Sequence, residues 1–436
     1  MNKDIIKTLI EKNKIKYLKL QFTDMVGTLK SVEVPTTKLD EALDGKIIFD
    51  GSSIEGFVRI MEADMNLVPD LDTFLIIPSD EKSNHQGYAR IICDVYLPNG
   101  KPFDGDPRYI LKKSLEKLKK YNIGKLMIGL EPEFYLLDKN SKAFIDNNSY
   151  FDMGISDISE KCRHEIVLEL EKLGYQVEAS HHEVGPSQNE ITFKYDEALK
   201  TCDRIQLFKH VVKEVASRNN LIATFMPKPF KDYPGSGMHV NCSLFDDFGN
   251  NLFYDPSQKL GLSTIAYKWI SGILNRAREC SLVTNPIINS YKRICSGFEA
   301  PCHICWSDAN RSTLIRIPNK RGLSTRCEIR NVDPFANPYL MISVILESGL
   351  EGINSCEKII QPIYENIFEL TEEERKERRI NSLPENLKEA IHEFEHSKFL
   401  MNILGSHLFE KYLFLKKIEW DEYKNLIHNW EIEKYL

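Results

Sequence analysis

The sequence predicts an α+β protein of two domains, a small strand-rich one over residues 1–98 and a large mixed one over residues 99–436. Three observations lead there. A chain of 436 residues is longer than a single compact core ordinarily serves. Its first part alternates short apolar runs with turns, so that YLKLQFTD, TLKSVEV, TFLIIP and RIICDVYL read as strands. The segment PNGKPFDGDPR (98–108), crowded with Pro, Gly and Asp, marks a boundary, and beyond it helical patterns alternate with strands.

The helices are read from spacing and end signals. YILKKSLEKLKKY (109–121) is amphipathic, and RHEIVLELEKLGY (163–175) repeats apolar residues at helical intervals. NPYLMISVILESGLEG (337–352) opens with Asn337 as N-cap and Pro338 at the first helical position. The charged C-terminal stretch reads as helical throughout, with ERKERR (374–379) a solvated face behind a capping box of Thr371 and Glu374.

Composition excludes several classes of function. The 42% hydrophobic and 28% charged content is that of an ordinary soluble globular protein, and a formal net charge of −7 gives no reason to expect nucleic acid or an anionic membrane as partner. No apolar run approaches the ~20 residues that span a bilayer. The basic N-terminus is broken by charges and does not read as a secretory signal. Ten cysteines lie scattered from Cys93 to Cys356 and read as reduced thiols of a cytoplasmic protein. The pair Cys302 and Cys305 in PCHIC has no second pair to complete a zinc site and reads as small buried thiols.

The chemistry is concentrated in strand-like segments. In KLMIGLEPEFYLLD (125–138), Glu131 and Glu133 point to the same side of a strand, where two carboxylates repel unless cations lie beside them. Pro132 between them cannot donate a ladder hydrogen bond and argues for an edge strand or a bulge. In HHEVGPSQNEITFKY (181–195), Glu183 and Glu190 bracket a Gly-Pro loop that can fold both towards one point, behind the histidines His181 and His182. PGSGMHVNCSLF (234–245) runs from a glycine-rich turn into a strand with His239, Asn241 and Ser243 on one face; a hydrogen-bonded core histidine is the alternative for His239. In RGLSTRCEIRNVDP (321–334), Arg326, Glu328 and Arg330 alternate along a strand, and three charges on one face need metal, phosphate or carboxylate opposite them. Arg293, Arg311 and Arg316 add further guanidinium groups suited to phosphate and carboxylate oxygens. Five glutamates and one imidazole favour Mg2+ or Mn2+ over zinc. Cations and arginines around a polyphosphate are the means of phosphoryl transfer, although neither GxxxxGK[ST] nor GxGxxG is present. A rival motif, HEFEH (392–396), fits the HExxH pattern of zinc peptidases, but no later H-x-x-G-x-x-H follows it.

Taken together, FDGSSI (49–54), EADMNLVPD (62–70), LEPEF (130–134), HHEV and QNE, FMPKP (225–229), GSGMH, NSYKR, FEAPC, NRS with IRIP, and RCEIR with NPYL resemble, in order, the signatures of type I glutamine synthetase. The resemblance implies a β-grasp-like N-terminal domain and a catalytic domain with a curved, mainly antiparallel sheet flanked by helices. It implies an ATP-dependent ligase joining ammonium to the γ-carboxylate of glutamate through γ-glutamyl phosphate, with two or more Mg2+ or Mn2+ ions per site. Glu133, Glu183 and Glu190 would hold one ion; Glu131, His239 and Glu328 the other. Arg311, Arg316, Arg326 and Arg330 would clamp nucleotide and phosphate. Glu131, Gly235, Arg293, Glu299 and Arg330 would hold glutamate, with Glu299 on the flap. Glu178, Tyr195, Asn241 and Ser243 would line the ATP pocket. Asp50, Ser53, Tyr150 and Glu183 would form the ammonium pocket, with Asp50 supplied by the neighbouring subunit of a dodecamer of two hexameric rings. Arg59 matches an arginine linked to glutamine feedback in the short subdivision of the family. The tyrosine adenylylated in the longer subdivision is replaced by Phe368, which has no hydroxyl to modify. Two departures stand out: Pro234 where the family usually has Asn, and WSDANRS in place of WSARNRS or WSAQNRS. They keep open a second reading, a γ-glutamyl-amine ligase of the same family, while Asp50, Ser53 and Tyr150 favour ammonium.

Overall fold

A computed structural model describes residues 1–54, 64–78, 87–153, 158–294, 300–355, 358–367 and 369–436. Arg59, Glu299 and Phe368 lie outside these residues, as does the side chain of Ser53.

The first part of the chain folds around one six-stranded sheet. Helix α1 (Lys3–Lys12) precedes β1 (Tyr17–Thr23) and β2 (Leu29–Pro35); α2 (Leu39–Leu43) leads into β3 (Ile47–Asp50), β4 (Asp64–Pro69), β5 (Leu75–Ile77) and β6 (Tyr88–Tyr96). The strand order is β2-β1-β6-β4-β3, with β5 also on β6, and only the β1–β6 pair is parallel. Its core is apolar and separate, built on Leu18, Leu20, Ile91 and Val95 beneath α1 and α2. The four runs read as strands are β1, β2, β5 and β6. Strand β3 lies at one edge of the sheet and ends at Asp50.

The turn-rich segment after β6 ends in a helix start. Asp106 accepts from the Arg108 amide and Pro107 takes the first turn of α3 (Pro107–Glu116). Strand β7 (Lys125–Asp138) is then the spine of a second sheet. It is followed by α4 (Ile158–Lys172), β8 (Val177–His182), β9 (Gln188–Phe193), β10 (Asp196–Glu197), α5 (Ala198–Arg218), β11 (Leu221–Thr224) and β12 (Met238–Phe245). Helices α6 (Thr264–Thr284) and α7 (Ser290–Arg293) precede the short strands β13 (Trp306–Ser307), β14 (Ile315–Arg316) and β15 (Cys327–Ile329). The order is β13-β14-β15-β12-β7-β9-β8, with β10 and β11 also on β7, and all pairs but β13–β14 are antiparallel.

Strand β7 is therefore central, which corrects the edge position argued from Pro132. The Glu133 amide donates to the Gly237 carbonyl at 2.9 Å, so the missing Pro132 donor faces the other side of the strand. On that side β10 pairs only as far as Ile128 and β9 begins only at Glu133. The proline sits in the gap between two partners, and no ladder bond is lost. The Arg326–Arg330 strand is also shorter than its alternation suggested: only Cys327–Ile329 pair, and the two arginines flank them.

Helices pack behind the sheet. Asn337 caps α8 (Pro338–Ser355) by accepting from the Tyr339 amide at 3.1 Å, while its own amide donates to the carbonyls of Asp24 and Met25 across the two halves. Helices α6 and α8 are so close that a Cβ on Gly272 would lie 2.2 Å from the Ser348 carbonyl and 2.8 Å from the Gly352 Cα. The tail forms α9 (Glu372–Glu377), α10 (Leu387–Glu395), α11 (Lys398–Lys424) and α12 (Asn429–Tyr435), with the Thr371–Glu374 capping box in place. Among the described residues no helix is long and apolar enough to cross a membrane.

Candidate active site

Strand register gathers the acids. On β7, Glu131 stands opposite His239 of β12, and Glu133 opposite Glu190 of β9. Glu190 stands opposite His181 of β8, and Asn241 of β12 opposite Glu328 of β15. Because side chains alternate faces along each strand, these residues share one face of the sheet. They form two clusters. His239 Nδ1 lies 3.6 Å from Glu131 and 3.7 Å from Glu328, and the Glu131–His239–Glu328 ligand atoms all fall within 4.8 Å of one another. The second such trio is His181, Glu183 and Glu190. Glu133 is beside it: its carboxylate accepts from the Gly237 amide at 2.9 Å and from Gln188 Nε2 at 3.2 Å.

The electrostatics of the two clusters differ. Desolvation, followed by the charges of Glu183 and Glu190, pushes Glu133 well above the ordinary carboxylate range. Glu131 is held below that range despite desolvation, because His239 and then Asn241 bond to the ionised form. Glu328 is fixed by two guanidinium groups, Arg316 Nε at 2.7 Å and Arg330 Nη1 at 2.5 Å, and is almost fully buried. A set of enclosed carboxylates that disfavour one another's charge is stabilised by a divalent cation, and oxygen donors with imidazole suit Mg2+ or Mn2+. The residues fit such ions.

A cavity of about 240 Å3 opens beside Glu131 and is lined by Glu178, Tyr195, Asn241, Ser243 and Arg326. Asn241 ties this cavity to the cluster: Arg326 Nε donates to its Oδ1 at 2.8 Å, and its Nδ2 donates to Glu131 at 2.9 Å. Sequence reasoning missed Met127, Thr192, Phe193 and Lys320 in the same wall. Met127 and Thr192 share strand parity with Glu131 and Glu190, a signal that could have found them.

On the other side of Glu133 runs the loop carrying Gly235. A Cβ there would lie 2.5 Å from the Pro227 carbonyl, so only glycine fits. The Gly235 carbonyl accepts from Gln188 and that of Pro234 from Tyr135 at 2.7 Å, which holds the loop over an aromatic group of Tyr135, Phe144, Phe230 and Tyr233. Arg293 is buried against the Gly237 backbone, and its guanidinium donates to the carbonyls of Arg330, Asn331 and Val332. Tyr150 is half exposed, stacked on Phe151 at 4.0 Å and edge-on to His181 at 5.7 Å.

One predicted residue, Asp50, belongs to the other sheet. It is exposed at the end of β3, where bonds from Ser52 keep its carboxyl below the usual range. Arg311 is exposed in the turn between β13 and β14. His182 is a buried structural residue, bonded to the Glu183 carbonyl and Asp146. In HEFEH, Glu393 pairs with Arg278 and His396 Nδ1 bonds to the His392 carbonyl, so the peptidase pattern is ordinary helix chemistry. Cys302 and Cys305 are buried, and desolvation pushes the Cys305 thiol up to about 12.

A sheet bearing two carboxylate–histidine clusters beside a polar cavity is a surface that could hold divalent cations, and the comparisons give the family. The glutamine synthetase catalytic domain family matches residues 104–435, and the glutamine synthetase beta-Grasp domain family residues 14–98. Glutamine synthetases of Staphylococcus aureus and Staphylococcus epidermidis are 48% identical to this chain over 439 aligned positions, covering 100% of it and, for the S. aureus protein, 98% of the relative. The Plasmodium falciparum glutamine synthetase structure superposes with a TM-score of 0.89 at 26% identity over 100% of this chain and 99% of that one. A GmaS–ADP complex does so with a TM-score of 0.89 at 30% identity over 98% of each. The chain belongs to the glutamine synthetase family. Its activity is that of a glutamate–ammonia ligase.

Proposed function

We propose that this face of the sheet makes glutamine in two steps, with ATP, glutamate and ammonium on three sides of the paired clusters. The observation that carries the reading is the convergence of Glu131, Glu133, Glu183, Glu190, His239 and Glu328 on one face, next to the cavity lined by Glu178, Tyr195, Asn241, Ser243 and Arg326. Glu133, Glu183 and Glu190 would hold one Mg2+ or Mn2+, and Glu131, His239 and Glu328 the other; bound there, the ions supply charge neutralisation for phosphoryl transfer. Arg311, Arg316, Arg326 and Arg330 receive the nucleotide phosphates and the transferred group. Gly235 and Arg293 hold glutamate, joined by Glu131 and Arg330.

A carboxylate does not condense with ammonia, because its carbon is poorly electrophilic and hydroxide leaves badly. Phosphorylation of the γ-carboxylate gives an acyl phosphate with a good leaving group. Ammonium is then drawn into a negative pocket of Tyr150 and Glu183 with Asp50 and Ser53, where a carboxylate takes its proton and frees NH3 to attack. Glu299 closes the site against water, and Arg59 serves glutamine feedback. Asp50 lies exposed on an edge strand of the other sheet, which supports its delivery to a neighbouring subunit. The assembly is then a dodecamer of two hexameric rings, each chain divided near residue 98, in the cytoplasm. Both sheets have their own apolar cores, which supports that division.

Pro234, the departure from the family's usual Asn, bears on whether ammonium or an organic amine is the preferred acceptor. Phosphate release with ATP, Mg2+ and glutamate, comparing ammonium with methylamine, ethylamine and putrescine, decides between them. Ammonium is expected to give the highest kcat/KM; a higher value for an organic amine would replace the proposal.

A further inference from the structure

We propose that His181 supplies a nitrogen donor to the first cation site, beside Glu183 and Glu190, and thereby biases that site towards Mn2+ over Mg2+. The inference rests on the reading of Glu133, Glu183 and Glu190 as a metal centre. His181 lies in the same row of the sheet, directly opposite Glu190, which in turn is opposite Glu133. Its Nε2 is 3.5 Å from Glu190 Oε1 and its Nδ1 3.6 Å from Glu183 Oε1, and one ligand atom from each of the three residues fits within 4.8 Å. Six ligands at about 2.1 Å from one ion stand about 3 to 4.2 Å apart, so the trio spans a single cation.

The second observation is the orientation of the ring. Nδ1 lies 3.3 Å from the His182 carbonyl, a partner for a proton on that nitrogen; in that tautomer the Nε2 lone pair faces the Glu190 side, where a cation would displace any proton Nε2 shares with the carboxylate. A carbonyl on the far ring nitrogen is how metal-ligating histidines are fixed in tautomer and direction. Edge-on contacts to Phe151 at 4.8 Å and Tyr150 at 5.7 Å hold the ring in place. His182 cannot do the same, since both its nitrogens are occupied. Imidazole raises affinity for first-row transition ions, whereas Mg2+ keeps to oxygen and water.

The test is equilibrium binding in the intact protein without nucleotide, counting free Mn2+ by electron paramagnetic resonance and measuring Mg2+ by competition. A Glu328→Gln background silences the other cluster. His181→Asn and His181→Gln are compared, with circular dichroism checking the fold, so that one variant decides if the other does not fold. The expected result is a Mn2+ Kd raised about tenfold or more with Mg2+ affinity changed less than about twofold. Equal changes for both ions, or none, would overturn the role of His181. Glu183→Gln serves as control: it should lose both ions. If it keeps both, the metal-centre reading itself is wrong; if it loses both while the His181 variants bind like the parent, only the inference about His181 fails.

Discussion

Glu328 shows how single residues set the chemistry. It is enclosed between Arg316 and Arg330, two fixed cations that balance its charge, and it faces His239. Glu328→Ala is expected to lower kcat by at least about a hundredfold, through loss of a metal ligand, with ATP hydrolysis lost in parallel. The change also leaves two guanidinium groups without their carboxylate, a cost of a few kcal/mol at most because Arg316 keeps contact with solvent. A thermal melt reads the second effect and steady-state kinetics the first. Asp50→Asn is a different case: on the proposed assignment it removes charge from the ammonium pocket alone. It should raise KM for ammonium by about ten- to a hundredfold while KM for ATP stays put. Unchanged glutamine formation would remove Asp50 from the pocket. At this scale much was legible, since Glu131 with Glu133, and Arg326 with Glu328 and Arg330, share faces by parity alone. His181 was not assigned a role, because its place beside Glu190 depends on a pairing between strands that parity does not report.

At the scale of elements, caps and crossings carry the load. Asp106 caps α3 and also accepts from the Val95 amide at 3.0 Å, so it fixes the helix to β6. Desolvation, then the charge of Asp94, lifts its pKa from the ordinary 3.8 to about 7. A carboxyl raised in the folded state keeps a proton that the unfolded chain has already released. Its stabilising contribution is therefore full below pH 3.8 and lost as pH climbs to about 7. Asp106→Asn mimics the neutral form, so its Tm relative to wild type should rise across that window; parallel curves would contradict this. Gly272→Ala drives a methyl into the Ser348 carbonyl at the α6–α8 crossing. A loss of about 1–3 kcal/mol in denaturant unfolding is expected. Strand and helix identities were readable from period and punctuation. The central place of β7 was not, because the rule against proline in a ladder assumes a partner on both sides, and here one side is empty at Pro132.

Across the whole molecule, one buried arginine joins the two sheets. Arg108 bonds Asp70 and Asp94, each at 2.7 Å, on the small sheet side, and Asp203 of α5, which also accepts from Tyr339. Nothing in the local sequence announced this clamp, since its partners are far apart along the chain and meet only after both sheets form. It fixes the sheet that carries Asp50 relative to the one that carries the clusters. If Asp50 serves a neighbouring copy, subunits bearing Asp50→Asn and subunits bearing Glu328→Ala, the first weak at low ammonium and the second inactive, should regain part of the low-ammonium activity when assembled together. No recovery in mixed assemblies would place Asp50 and the clusters of one chain in the same site. The central claim, that this face holds two cations, is tested most directly by anomalous diffraction from crystals grown with Mn2+ and ADP. Two peaks per chain are expected, one among Glu133, Glu183 and Glu190 and one among Glu131, His239 and Glu328. Ordered Mn2+ elsewhere, with none at either cluster, would contradict it.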